Sequence, residues 1–193
     1  MLPRTIDEFS KLLTRLRLLT PAQIAECKAA LKDRSSVNEL VDQMQMRNYL
    51  TSFQTARIRK GDTDGMVLGE YKLLYRNASG SFARVYRAES LVTGQMLGLK
   101  LLRQRWASDK QAVETFHREA RLIKRFQHPN IVPVYDVGTD NNYHYFTMDF
   151  IEGGNLRDFI KVRKALTWEE ACRCIRDVCE GLAYALTLSL IHI

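Results

Sequence analysis

The chain has 193 residues and a formal net charge of +7, with 46% hydrophobic and 26% charged side chains. These proportions are ordinary for a globular protein and exclude a mainly disordered, collagen-like or disulfide-scaffold chain. The length suits one domain, or one small domain and part of another. The basic residues are spread along the chain, so the excess charge does not indicate a nucleic-acid binder.

The sequence does not predict a membrane segment or a metal site. No stretch approaches the roughly 18 apolar residues of a spanning helix, and the N-terminus carries early acidic residues instead of an apolar signal-peptide core. Cys172, Cys174 and Cys179 share one helical pattern with no paired histidine or second cysteine cluster that would complete a tetrahedral site. We therefore expect a cytoplasmic protein with reduced cysteines and no bound metal.

Residues 1–60 are predicted to form a small helical extension. Apolar residues recur with helical spacing from Phe9 to Leu19, and Thr20-Pro21 supplies an N-cap for a second helix ending near Lys32. The segment 19–25 matches the segment 50–56, which lies 31 positions later. Each copy is predicted to be a helix, a threonine cap and a helix, and two such hairpins can close a four-helix bundle.

Two interpretations of this extension stay open on sequence grounds. It is a docking or regulatory module for a protein partner, or it packs on the neighbouring domain. Helix-turn-helix DNA binding is disfavoured because no helix shows a basic face. Residues 61–66, which include Gly-Asp-Thr-Asp-Gly, are predicted to be a linker.

After residue 66 the pattern changes to β-strands. Three strands are predicted at 68–74, 84–90 and 95–102. Between the first two strands, small residues at 78, 80 and 83 have the spacing of a G-x-G-x-x-G-x-V loop, with alanine in the first and third places. Small side chains let backbone N–H groups approach phosphate oxygens, although the pattern alone favours a plain hairpin turn.

A lysine and a glutamate form a second candidate feature. Lys100 lies on an apolar strand, where a buried ammonium is costly unless it is paired. Glu119 follows within a helical pattern that carries Phe116, Ala120 and Ile123 on one face. We expect Glu119 to pair with Lys100 and to direct it toward a phosphate. A surface lysine and a surface helix charge are the alternatives.

The remaining segments complete the predicted order of elements. A His-Pro-Asn turn at 128–130 leads into a strand, and a further strand spans 143–150. A short helix is predicted over 156–164. Thr167-Trp168-Glu169-Glu170 then resembles a capping box that opens a long helix.

In this order the motifs resemble the N-terminal lobe of a protein kinase. The matching parts are the loop ending at Val85, the strand lysine Lys100, the helix-C glutamate Glu119, the turn at 128–130 and a hinge at 148–156. The front segment is similar to the helical extension of some bacterial Ser/Thr kinases, in which an LLT-x-x-Q repeat leads into LG-x-Y-x-LL.

The resemblance implies an α+β fold. Its parts are a kinase-like N-lobe with an antiparallel sheet and helix C, the start of the helical C-lobe, and a small all-α extension in front. The implied kinase domain covers 67–193 and is incomplete.

The resemblance also implies the site residues. Lys100 would hold the α- and β-phosphates of ATP, and Glu119 would position Lys100; these two are the implied catalytic residues. Met148 would be the gatekeeper, and the backbones of Asp149 and Ile151 would bond the adenine edge. The implied nucleotide contacts are Asn77, Ala78, Ser79, Gly80, Ser81, Phe82, Ala83, Val85, Gly98, Lys100, Met148, Asp149, Ile151 and Asn155. Protein substrates and, for a complete family domain, Mg²⁺ are implied as partners.

The family's catalytic loop would start where this sequence stops. Residues 190–193 resemble the strand that enters the H-R-D motif, with His192 in the histidine place and Ile193 where arginine belongs. The 193 residues contain neither H-R-D nor D-F-G. We therefore expect a truncated Ser/Thr kinase that is inactive alone. The alternatives are a non-catalytic kinase-like module that binds a nucleotide or a partner, and a structural adaptor acting through the helical repeat.

Overall fold

The computed structural model describes residues 3, 5–31 and 35–188. The helices are α1 (Ile6–Arg15), α2 (Pro21–Ala29), α3 (Val37–Met46), α4 (Ser52–Arg59), α5 (Lys110–Ile123), α6 (Leu156–Arg163) and α7 (Trp168–Thr187). The strands are β1 (Val67–Leu68), β2 (Tyr71–Ser79), β3 (Ala83–Ser90), β4 (Met96–Leu102), β5 (Val134–Asp140) and β6 (Tyr143–Met148). The expected strand at 190–193, with His192 and Ile193, lies outside the described residues.

The first four helices form a bundle with an internal repeat. Helices α3 and α4 begin 31 positions after α1 and α2, as the sequence match predicts. Thr20 and Thr51 each accept a bond from the backbone N–H of a following glutamine, Gln23 or Gln54, whose side chain accepts from the threonine N–H. Each box satisfies two donors that a helix start leaves unpaired. The predicted all-α extension is confirmed.

The strands form one antiparallel sheet in the order β1-β2-β3-β4-β6-β5. Side chains alternate between its two faces. We call the face that packs on α5 the inner face; it carries Ala83 and Leu102 in one buried cluster with Phe116. We call the face that packs on the bundle the outer face; its cluster includes Tyr86 and contacts Phe53 of α4.

The first predicted strand, at 68–74, is wrong in its bounds. The chain reverses at Gly69, where φ is +58°, so that β1 pairs back on β2. A side chain at Gly69 would also collide with the hydroxyl group of Tyr145. The last strand was also predicted too long, because β6 ends at Met148. Periodicity cannot locate such a reversal, since apolar residues continue on both sides of it.

Polar contacts at buried positions attach the bundle to the outer face. The side chain of Gln54 is fully buried and donates to the carbonyl of Leu73 at 2.8 Å. The Thr51 hydroxyl donates to the Leu74 carbonyl at 2.7 Å. These bonds satisfy two carbonyls of β2 that lie against the bundle. Packing on the neighbouring domain is therefore observed, while partner binding by the extension stays a prediction.

The segment 61–66 is held by both neighbours. Arg57 donates to both carboxylate oxygens of Asp62, at 3.0 and 2.9 Å. The Tyr143 hydroxyl donates to Asp64 at 2.7 Å, and Met66 is buried in the core of the bundle. The segment therefore connects bundle and sheet through ordered contacts. The division of the chain into domains at these positions stays a prediction.

The buried positions of the long helix α7 are small residues. Its predicted capping box is present, and Gly181 and Ala185 are buried. Leu182 and Leu186 are 49% and 42% exposed, so part of the apolar face of α7 is uncovered among the described residues. Within the described part of the chain, no helix combines the length and apolar character that crossing a membrane requires.

Candidate functional site

Lys100 and Glu119 meet on the inner face of the sheet. The ammonium Nζ of Lys100 donates to Oε1 of Glu119 at 2.8 Å. In the register, Lys100 lies between Val85 of β3 and Phe146 of β6, and its Nζ is 5.1 Å from the centre of the Phe146 ring. The two side chains stay 26% and 43% exposed, so the ammonium can still reach an anion from solvent. The predicted pairing is confirmed, whereas its catalytic role stays a prediction.

The rotation of α5 decides where Glu119 lies. Asp109 caps the helix by accepting from the N–H groups of Gln111 and Ala112. Phe116 is fully buried, and its ring centre is 5.2 Å from that of Phe146. Because Glu119 is three positions beyond Phe116, it lies at the edge of the same helix face. Burial of the phenylalanine therefore holds the carboxylate beside the strand lysine.

The small-residue loop at 77–85 is a tight hairpin between β2 and β3. Ala78 pairs with Val85, and the N–H of Gly80 donates to the carbonyl of Ala83 at 2.9 Å. The side chains from Asn77 to Ser81 are exposed. A hairpin is thus observed, with small side chains from Ala78 to Ser81, while Phe82 packs beside the inner-face cluster. Phosphate binding by this loop stays a prediction.

Two arginines that the sequence analysis did not single out hold this loop. Arg103 donates to the Gly80 carbonyl and to the Ser79 hydroxyl, each at 2.8 Å. Arg105 donates to the Ser81 carbonyl. In the sequence, these arginines are marked only by their position directly after β4. That position does not reveal a contact with a loop more than 20 residues away. The loop is consequently anchored to the segment that enters α5.

The predicted hinge approaches the sheet closely at Gly98. Met148 pairs with Gly98 across β4 and β6. A Cβ at Gly98 would stand 3.2 Å from both the Asp149 carbonyl oxygen and Cγ of Met148. The glycine therefore makes room for the hinge, since a side chain at this position would crowd Met148 and the Asp149 backbone. The Tyr135 hydroxyl donates to the Asp149 carboxylate, and this bond raises the pKa of Tyr135 above its usual value.

The remaining predicted residues are spread around these features. Val85 lies on the inner face beside Lys100, and Phe82 packs against Phe116 with ring centres 6.3 Å apart. Ile151 is exposed. Asn155 caps α6 by accepting from the N–H of Asp158 at 2.9 Å. That side chain has a local structural task, and a ribose contact for it stays a prediction.

A cavity of about 600 Å³ opens beside the Lys100–Glu119 pair. It lies between the inner face, α5 and α7. Its lining is mostly apolar and includes Ile123, Val134, Phe146, Met148 and Leu182. A volume of this size is typical of small-molecule sites. No group of three or more metal-ligating side chains occurs in the part of the chain that the structure describes.

The turn at 128–130 joins the sheet to α7, which the sequence analysis did not foresee. The Asn130 amide donates to the Asp177 carbonyl at 2.9 Å and to the Glu180 carboxylate at 3.2 Å. The ring of His128 stacks on Tyr184 with centres 5.1 Å apart. Contacts across about fifty residues leave no periodic trace in a single sequence.

Comparisons with known proteins identify the family. The protein kinase domain model matches residues 76–193. Serine/threonine-protein kinase PrkC of Bacillus subtilis is 30% identical over 126 residues, covering 65% of this chain and 19% of that protein. Serine/threonine-protein kinase PknL of Mycobacterium tuberculosis is 33% identical over 122 residues, covering 63% and 31%. The chain thus spans less than a third of the length of these relatives.

A solved structure supports the fold. The PknI kinase domain of Mycobacterium tuberculosis aligns with a TM-score of 0.58 at 24% identity, over 66% of this chain and 53% of that chain. The shared fold is the α+β arrangement expected from the sequence, an antiparallel sheet with its helices. Since the kinase domain model covers more than half of the residues, the chain belongs to the protein kinase family.

Proposed function

We propose that this chain forms the ATP-binding lobe of a serine/threonine protein kinase. The observation that carries the proposal is the 2.8 Å pair between Lys100 and Glu119 on the inner face. A lysine held by one carboxylate oxygen keeps further N–H donors for phosphate oxygens. The relatives named as bacterial Ser/Thr kinases support this class of kinase over a tyrosine kinase.

The residues of the inner face fit a nucleotide. Gly98 carries no side chain, so the strand itself adds no bulk beside the hinge. Val85 and Gly98 would pack on the adenine, and the loop from Asn77 to Ala83 would cover the phosphates. Met148 would limit access behind the ring. The backbone groups of Asp149 and Ile151 would bond the adenine edge, and Asn155 would lie near the ribose.

Phosphoryl transfer needs more than these groups. A carboxylate must accept the hydroxyl proton, and further residues must hold Mg²⁺. The 193 residues contain no H-R-D or D-F-G motif that would supply them. We therefore propose that this stretch alone binds ATP without transferring phosphate. Transfer to cytoplasmic protein substrates is proposed for the whole kinase.

Calorimetric titration with Mg-ATP tests the binding proposal. Lys100→Ala is expected to weaken binding by at least about tenfold, since it removes a charge-assisted phosphate contact. Lys72→Ala is the matched control, because Lys72 forms a 2.9 Å ion pair with Glu89 on the same sheet. Its ATP affinity should equal that of the unchanged chain. Equal weakening in both variants, or no binding of Mg-ATP at millimolar concentration, would contradict the proposal.

A non-catalytic kinase-like module is the second candidate, favoured by the missing motifs. The intact mass of the natural protein separates the two candidates. A mass of about 22.3 kDa would favour the non-catalytic module. A larger mass, with H-R-D and D-F-G motifs in the continuing reading frame, would favour the kinase.

A further inference from the structure

A second cavity, of about 590 Å³, lies on the outer face of the sheet where the bundle meets β2, β3 and β4. We call it the outer pocket. Six cationic side chains line it, against two acidic ones, Asp62 and Asp64. The six are Arg57, Lys60, Arg76, Arg84, Arg103 and Arg105.

Both acidic side chains of the outer pocket are already engaged. Asp62 accepts two bonds from Arg57, at 3.0 and 2.9 Å. Asp64 accepts a bond from the Tyr143 hydroxyl at 2.7 Å. Arg103 and Arg105 donate to uncharged carbonyl and hydroxyl oxygens of the loop, which do not cancel their charge. With six cationic against two anionic side chains, the pocket keeps a net positive charge.

The three remaining cations have no acidic partner in the part of the chain that the structure describes. Among the described residues, Lys60, Arg76 and Arg84 form no ion pair, and Nε of Arg84 is buried without a hydrogen-bond partner. An unsatisfied guanidinium N–H in such a place is costly. An anion with several acceptor oxygens would satisfy it and would match the planar fork of donors that arginine presents.

The walls of the outer pocket add an apolar and aromatic component. Phe53 and Tyr86 line it with ring centres 5.9 Å apart, and Tyr143 and Leu101 complete this wall. Aromatic walls favour a ligand with a flat ring. The volume is that of a small organic molecule and not of a protein segment with its own fold.

The outer pocket is separate from the inner-face site. In the β3–β4 register Arg84 pairs with Leu101, whereas Val85 pairs with Lys100. Successive side chains of a strand point to opposite faces, so the two sets lie on opposite sides of the sheet. A ligand on one side cannot touch the other set directly.

We propose that the outer pocket binds a small phosphate ester of nucleotide size. Its phosphate groups contact the unpaired arginines of β2 and β3, and its ring packs on the aromatic wall. Arg57 and Lys60 belong to α4 and its C-terminal end, so the occupant bridges bundle and sheet. The proposal goes beyond ATP binding at Lys100 and does not depend on it.

Titration calorimetry with sodium pyrophosphate and with ADP tests the proposal. The pocket variant is Arg76→Gln with Arg84→Gln. The control is Lys110→Gln with Arg157→Gln, which removes the same charge at two exposed positions outside the pocket. We expect pyrophosphate binding to weaken at least about tenfold in the pocket variant and to stay within about twofold in the control. Lys100→Ala should leave pyrophosphate binding unchanged. This variant should still bind ADP at one site, the outer pocket. Adding Arg76→Gln and Arg84→Gln to it should abolish that remaining ADP binding.

Arg76→Gln alone guards against misfolding, because Arg76 is exposed and its replacement should not disturb the core. The substitution should measurably weaken the binding of pyrophosphate, while the melting temperature of the protein stays unchanged. If the pocket and control variants lost pyrophosphate affinity equally, the effect would come from the lower net charge alone, and the proposal would be overturned. Loss of pyrophosphate binding in Lys100→Ala alone would assign the anion to the inner face. Binding of a phosphoserine peptide without binding of pyrophosphate or ADP would overturn the small-molecule assignment.

Discussion

The two faces of the sheet hold positive charge in different ways. On the inner face, Lys100 has a carboxylate partner in Glu119 at 2.8 Å. On the outer face, Arg84 has no acidic partner among the described residues, and Arg103 donates to loop oxygens. A paired cation is held in position, whereas a group of unpaired cations attracts an anion. In our two proposals, the inner face therefore orients a single cation and the outer face recognises an anion.

The largest effect should come from the aromatic core under the inner face. Phe116→Ala should lower the free energy of unfolding by about 3–5 kcal/mol, because the fully buried ring leaves a cavity. The folded protein should also bind Mg-ATP more weakly, since the same helix carries Glu119. Leu73→Ala on the outer face should cost about 2–5 kcal/mol and leave that binding unchanged.

Urea unfolding and calorimetry on the same samples measure both quantities. If Leu73→Ala weakened ATP binding by the folded protein as strongly as Phe116→Ala, the two faces would not be independent.

The attachment of the bundle to the outer face can be tested within the helical repeat. Gln54→Ala should cost about 2 kcal/mol, because it removes a capping bond and leaves the buried Leu73 carbonyl unpaired. Gln23→Ala removes only a capping interaction at the equivalent position and should cost about 1 kcal/mol or less. Thermal and urea unfolding of both variants measure the difference. Equal costs would show that the Gln54 bond to the sheet contributes nothing.

The role of charge pairing on the inner face can be tested by removing the carboxylate. Glu119→Gln should weaken Mg-ATP binding about tenfold, because Lys100 loses the ionic partner that orients it. Glu89→Gln breaks the 2.9 Å pair with Lys72 and should leave ATP affinity unchanged. Calorimetric titration of both variants decides the matter. An unchanged affinity in Glu119→Gln would contradict a positioning role.

The smallest expected effect is a pH dependence at the edge where α5 meets β6. Nε2 of His117 lies 3.1 Å from Nδ1 of His144, and burial holds the pKa of both rings below the usual 6.5. The unfolded chain therefore takes up protons first, so this stability is present above pH 6.5 and is lost as the pH falls through the lowered pKa values.

We expect the melting temperature to fall between pH 7.5 and 5.5 through these rings. His117→Gln should flatten this part of the profile in scanning calorimetry. A profile with the same slope in that variant would assign the effect to other groups.

Local features of the fold could be predicted well from the sequence. The repeated threonine caps, the capping box at Thr167 and the pairing of Lys100 with Glu119 are all observed. Each depends on spacing within one element or on a familiar order of elements. The reversal at Gly69 was missed because apolar residues continue on both sides of it, and the Tyr145 hydroxyl that excludes a side chain there lies on a distant strand.

The sequence by itself determined the helical repeat, the order along the chain of the elements that carry Lys100 and Glu119, and the family resemblance, because these follow from local periodicity, capping and motif spacing. Only the tertiary structure decided that Gln54 attaches the bundle to β2, that Asn130 contacts α7, and that Arg57 of α4 shares a pocket with Arg84 of β3. Such contacts depend on how preformed elements dock. Docking is governed by the burial of surfaces from distant parts of the chain, which a single sequence does not encode as a pattern.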